Sequence, residues 1–449
     1  MATITFGGLA TGLNTQAIID GLAAAERRPI TLLQNQQNEL QDRIKLYQDL
    51  RGKLAALRSA AEKLSTAAGF FIKTAKSSDE NVLVATAGSS ANSANHQITV
   101  NALARSTTLA SAAFGDTDTT TVGTGTLRIT VGSQVVDIPI DASNNTLSGL
   151  RDAINDAGTA VSATIVTVSA GGTPSYRLVV SGKNTGLENA VAVDESGLSG
   201  GTAPGFAATQ TAADAAIVVD GIAVARAANV VSDVIPGLTL DLKSSSPKEI
   251  QVTVSDDSEA IKKQLDDFIK AYNDIATFIA DKTKYDAATK TAGPLIGDAT
   301  VAALKRGLQS IITTPIAGSP AILGEIGVKT QKDGTLSVDG AKLDAALKDN
   351  LAGIGNLFSS ATDGLARSII NFADNATRLG DGMLSVRIEG AQNQVAEIGD
   401  QIERKEASVS RLIEDLTRKF TALETLVGQL TSQGNFLSQQ LAGLNGGKS

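Results

Sequence analysis

VAEIGDQIERKEASVSRLIEDLTRKFTALETLVGQLTSQGNFLSQQLAGLNGGKS, residues 395–449, decides how this chain is read. Steps of seven from Val395 land on Ile402, Val409, Leu416, Leu423, Leu430, Leu437 and Leu444, and every one is apolar. An ideal helix drifts against a seven-residue repeat, so a stripe kept over this many heptads marks a helix lying along a long partner. Leu441, four residues after Leu437, joins the same side.

The other end of the chain offers a matching element. FGGLATGLNTQAIIDGLAAAERRPI, residues 6–30, has a Gly-rich lead, then Asn14 or Thr15 as a cap for a short helix carrying Ile18, Ile19 and Leu22 on its apolar face. Pro29 is expected to interrupt it, with a new helix from there to about Thr66. Leu33, Leu40, Tyr47 and Leu54 are seven apart, with Leu50, Leu57 and Leu64 alongside. The two stripes pair with each other or with neighbouring subunits.

Between Val82 and Asp257 the period changes to two, in runs such as HQITV, LRITV, VVDIPI, YRLVV, LTLDLK and EIQVTV. Asp220-Gly221 between apolar runs predicts a two-residue hairpin turn. One helix interrupts the strands, with Leu147, Leu150 and Ile154 on one face and Gly158 closing it. SGLSGGTAPGFAATQTAAD, 196–214, reads as loop. Helical spacing returns in Ile261, Leu265, Phe268, Tyr272, Ile275 and Ile279, then at about Asp298–Ile312, Asp339–Asp349 and Thr362–Arg378, with a hairpin at Asp333-Gly334. The plan is nested: helices from both ends enclose strands.

The 449 residues exceed what one core organises, and a net charge of −8 with no clustered Lys and Arg excludes a nucleic-acid partner. Cysteine is absent, which removes disulfides and thiolate metal sites. No stretch has the run of apolar residues that membrane insertion needs. The first positive charge is Arg27, so no cleaved secretory signal is expected. His96 has no recognisable partner; Asp256-Asp257 suits a helix N-terminus and Asp266-Asp267 a solvated helix face. Asp116 and Asp118 have calcium-loop spacing without the remaining ligands. No nucleophile and base can be matched, so catalytic, cofactor-binding and metal residues are all assigned as none. The candidate partner-binding residues are Leu33, Leu40, Leu54, Leu423, Leu430, Leu437, Leu441 and Leu444.

Five ordered segments carry a resemblance: GLATGLNTQAIIDGLAAAERRPI (8–30), VDGIAVARAANVV…GLTLDLK…KAYNDI (219–275), GPLIGDATVAALKRGL (293–308), LGEIGVKTQKDGTLSVDGAKLDAAL (323–347) and LTSQGNFLSQQLAGL (430–444). Over nearly its whole length the chain resembles the bacterial flagellar filament cap family, the second hook-associated proteins. Residues 144–166 also resemble an insert shared by flagellins and cap proteins.

The fold class expected is α+β and multidomain. Residues 1–42 with 395–449 form a terminal coiled coil, 43–81 with 258–394 a helical leg, 82–114 with 212–257 an inner β head, and 115–211 an outer β head. The resemblance implies an assembly protein with no cofactor, exported by the flagellar type III apparatus without signal cleavage to the extracellular flagellum tip. It implies a ring-forming homo-oligomer, a pentamer on the filament. Its other partners would be flagellin, hook–filament junction proteins and a cytoplasmic export chaperone at the C-terminal helix. Two alternatives stay open: another axial protein such as a flagellin or junction protein, and a surface adhesin whose β head binds host glycans.

Overall fold

The computed structural model describes residues 10–170 and 173–445. They divide into two units: unit one comprises the chain up to Thr66 and from Gln264 onward, and unit two is Ala67–Lys263.

Unit one begins with helix α1 (Thr15–Leu64), capped by Asn14, whose side chain accepts the Ala17 N–H. α1 continues through Pro29, which corrects the expected break. A proline ring removes one helical hydrogen bond. Here Ala23 and Ile30, on either side of it, are both buried in one apolar cluster with Val409. Packing on a common partner holds both halves on one axis. The face also differs from expectation: Ile19 is buried, while Ile18 and Leu22 are exposed.

Unit two opens with a single turn, α2 (Ala67–Phe70), and contains two apolar cores. Around the first, strands Lys73–Ser77, Ser246–Asp256, Ala94–Ala102, Ala215–Val219 and Ile222–Arg226 form one antiparallel sheet in that order. Val230–Val231, Leu238–Leu242 and Leu83–Ala87 form another. Leu83, Ile98, Val100, Leu238, Leu240 and Val252 fill the space they share. Lys73–Ser77 was not expected as a strand: KTAKS lacks apolar alternation, and it extends by pairing with Val252–Asp256. The Asp220-Gly221 turn forms, with φ of 51° and 84°. His96 has a partner after all, its Nδ1 lying 2.7 Å from the Asp220 carboxylate. That carboxylate is held below its ordinary range by the His96 contact and then by the Gln97 N–H.

Around the second core, Ala207–Gln210, Thr108–Ala110, Thr173–Gly182 and Val161–Ala170 form one sheet in that order. Gln134–Ile140, Thr124–Val131 and Val191–Ser199 form the other. Helix α3 (Leu147–Asp156), capped by Thr146, contributes Leu147, Leu150 and Ile154 to a core with Phe114, Leu127 and Leu178. Ala207–Gln210 corrects the loop reading of that stretch: all four residues are exposed, so their strand comes from backbone pairing and leaves no apolar signal. Asp116, at calcium-loop spacing, instead turns its carboxylate onto the N–H groups of Asp118, Thr119 and Thr120.

Gly125 has φ of 137°, and a Cβ there would meet the Gly197 carbonyl oxygen at 2.0 Å. Gly125→Ala is expected to destabilise this core by about 3 kcal/mol, since the obstacle is backbone and the conformation disfavours any side chain. A lowered urea midpoint would show it; an unchanged one would mean that the sheet relaxes.

The chain returns to unit one through α4 (Ser258–Thr283), followed by α5 (Ala299–Thr313), α6 (Gly340–Asp349), α7 (Leu351–Ser359) and α8 (Leu365–Thr377). A hairpin of Val328–Thr330 and Leu336–Val338 turns at Gly334. Leu50, Leu57, Leu265, Phe268, Leu304, Phe358 and Ile369 are buried here, and Phe268 and Phe358 meet edge to face at 5.7 Å. The last helix, α9 (Met383–Asn445), contains the opening stretch through Asn445.

Candidate assembly surface

α1 and α9 lie antiparallel. The Arg387 Nε donates to the Tyr47 hydroxyl at 3.2 Å, the Gln37 side chain donates to the Val395 carbonyl at 3.2 Å, and Ala10 N–H donates to the Glu424 carboxylate at 3.0 Å. Between these points Ile402, Val409 and Ile413 pack on Ala23 and Ile30. The partner of the first half of the heptad stripe is therefore the N-terminal helix of the same chain.

Among the described residues, nothing covers the second half in this way. Every described side chain from Gln429 to Leu441 is exposed, and Leu437 and Leu441 are 60% and 61% accessible. No charged residue occurs between Glu424 and Lys448. A helix that meets only water carries charge on its wet side, and this one offers Leu426, Leu430, Phe436, Leu437 and Leu441 instead. Leu13, just before α1, and Ile18 and Leu22 within it are also exposed at the same end of the pair.

Of the sequence candidates, Leu423, Leu430, Leu437 and Leu441 are on this surface. The side chain of Leu444 lies outside the described residues. Leu33 is half-buried, and Leu40 lines a cleft of about 300 Å³ between α1 and α9 with Arg43 and Val386. Leu54 is fully buried inside unit one and is unavailable to another chain. Leu426 and Phe436 stand off the seven-residue count and were missed; their signal is the absence of charge around them.

Below this end the helix pair is fastened to α5. The Asp298 carboxylate, 7% exposed, accepts the Tyr47 hydroxyl at 2.6 Å, the Arg387 guanidinium at 3.2 Å and, as the cap of α5, the Val301 N–H at 3.0 Å. Burial pushes its pKa up, but Tyr47, the Val301 N–H and Arg387 together hold it below the usual carboxylate range. Burial and the Asp298 contact push the Tyr47 hydroxyl up.

These features define a modular α+β structural protein whose long terminal helices pair and leave an uncharged apolar end open. Two family models match: flagellar hook-associated protein 2 N-terminus over residues 11–107 and C-terminus over 212–432. The chain is 34% identical over 434 residues to the B-type flagellar hook-associated protein 2 of Pseudomonas aeruginosa, covering 88% of each. It is 28% identical to the flagellar hook-associated protein 2 of Escherichia coli K12, covering 98% of each. The crystal structure of the D1-D2-D3 domains of the Escherichia coli flagellar cap protein FliD superposes with a TM-score of 0.65 at 28% identity, over 77% of this chain and 99% of that one. The chain belongs to the flagellar hook-associated protein 2 family.

Proposed function

We propose that this chain is a structural subunit of a ring-forming homo-oligomer that caps the growing flagellar filament and promotes insertion of flagellin beneath it. The observation that carries the reading is the uncharged, leucine-rich end of the antiparallel α1–α9 pair, which is built for a further helical partner. Residues 1–42 and 395–449 would be the axial coiled coil, the other helices of unit one the leg, and the two apolar cores of unit two the two heads. The same apolar end would take an export chaperone before transit through the type III apparatus and axial neighbours, including hook–filament junction proteins, afterwards. The role needs no catalytic group: shaped surfaces and their exchange of partners suffice. Two measurements test it: electron microscopy of the purified protein, expected to give closed rings with legs on one face, and flagellin release by cells lacking the chain, expected to rise as filaments shorten. A persistent monomer together with normal filaments in the deletion strain would overturn the proposal.

A further inference from the structure

Val161–Ala170 is the outermost strand of its sheet and pairs on one side only, with Thr173–Gly182. A free edge presents a row of N–H and C=O groups, and proteins guard such rows with charge, proline or shortness. Elsewhere in unit two the guards are visible among the described residues. Lys73–Ser77 carries two lysines, Gln134–Ile140 an aspartate and a proline, Val191–Ser199 Asp194 and Glu195, and Ile222–Arg226 its arginine. Ala207–Gln210, Leu83–Ala87 and Val230–Val231 are short. The strand VSATIVTVSA has neither charge nor proline along its ten residues.

One residue of this edge is closed. Asn155 of α3 donates to the Ala163 carbonyl at 2.9 Å and accepts the Ala163 N–H at 2.8 Å. Outward-facing groups alternate along an antiparallel strand, so Ala163 identifies Val161, Ile165, Thr167 and Ser169 as the others that point away from the sheet; the Asn155 side chain at Ala163 separates Val161 from the rest, so Ile165, Thr167 and Ser169 are the run open to a second strand. Among the described residues no hydrogen bond from outside the sheet reaches their backbone groups. On the solvent face beside them, Val166 and Val168 are 43% and 37% exposed.

We propose that this edge pairs with the same edge of a second copy of the chain, antiparallel, about a two-fold axis through Thr167. In that register Thr167 faces Thr167 of the second copy and Ile165 faces Ser169, so all three open residues of each copy enter pairs that exchange both backbone bonds. Val166 faces Val168 on the solvent side, which covers the exposed valines. A register centred on Val166 would place Ala163, already bonded to Asn155, opposite Ser169 and forfeit a pair. A second copy is the occupant that the residues fit: a neutral strand meets a neutral strand, and every opposed pair is small or β-branched. The contact is isologous and closes at two chains, so it is separate from any ring made through the helices and does not rest on the function proposed above.

The chain has no cysteine, so single substitutions report cleanly. Thr167→Cys in the full chain is expected to form disulfide dimers under mild oxidation, because residues opposed in a bonded pair have Cα atoms about 5.5 Å apart. Ser162→Cys lies far from its symmetry mate and should form few. Adding Val166→Lys to Thr167→Cys sets a charge against a valine at an exposed position, and should lower the dimer yield about tenfold without moving the melting curve. Equal yields from Thr167→Cys and Ser162→Cys, including no product from either, would overturn the proposal, as would a yield that ignores Val166→Lys.

Discussion

Asp298→Ala is expected to destabilise unit one by about 3 kcal/mol. About 1 kcal/mol belongs to the lost cap of α5. The rest comes from the Tyr47 hydroxyl, left without its acceptor in a buried place, while the Arg387 contact contributes little because that guanidinium is half exposed. The sign of the pH dependence follows from the depressed Asp298 carboxylate. A group whose folded pKa is lowered adds stability that is present above its unfolded value, near 4, and lost as pH falls through the folded value. The gap between wild type and Asp298→Asn, which keeps a side chain able to cap, should therefore be widest at neutral pH and close in acid. Urea unfolding followed by far-UV circular dichroism at several pH values checks both statements. A gap that stayed constant with pH would show that the charge of Asp298 does nothing for the fold.

That cluster also marks where the sequence stops being readable. Asp298 could be placed at the start of a helix from its local pattern, but Tyr47 and Arg387 lie 251 and 89 residues away, and nothing in their neighbourhoods points to it. Periodicity did better where it had many repeats to work with. The α1 and α9 stripes, the Leu147, Leu150 and Ile154 face, and the Asp220-Gly221 turn are all local patterns repeated or bounded by strong signals. Pro29 failed as a helix breaker because one missing hydrogen bond is small against apolar packing on both sides of it. Lys73–Ser77, within the stretch assigned to the helical leg, and Ala207–Gln210, read as loop, are strands because their conformation is dictated by a neighbour's backbone. At the candidate surface, the leucine stripe was legible as a seam. What periodicity could not supply was the point, past Glu424, at which the described chain stops covering the stripe.

Leu437→Asp with Leu441→Asp is expected to abolish capping while leaving the melting curve of the chain unchanged. Both side chains are exposed in the free chain, so the substitutions remove no internal packing. Glycines at 428 and 434 weaken the helix by about 1 kcal/mol each, so this end is expected to gain order from whatever covers it. If Leu437 and Leu441 are buried on assembly, two carboxylates in an apolar seam must lose their hydration or protonate, a penalty that lowers affinity by about a hundredfold or more. Filaments should be short or absent in cells carrying the double variant, with flagellin released to the medium, and capture of an export chaperone by the purified chain should fail in parallel. Leu437→Ala with Leu441→Ala should give a milder loss, since it removes contact without adding charge. Normal filaments in the aspartate variant would remove this surface from the proposed function, and a large fall in melting temperature would instead place the two leucines inside the folded chain.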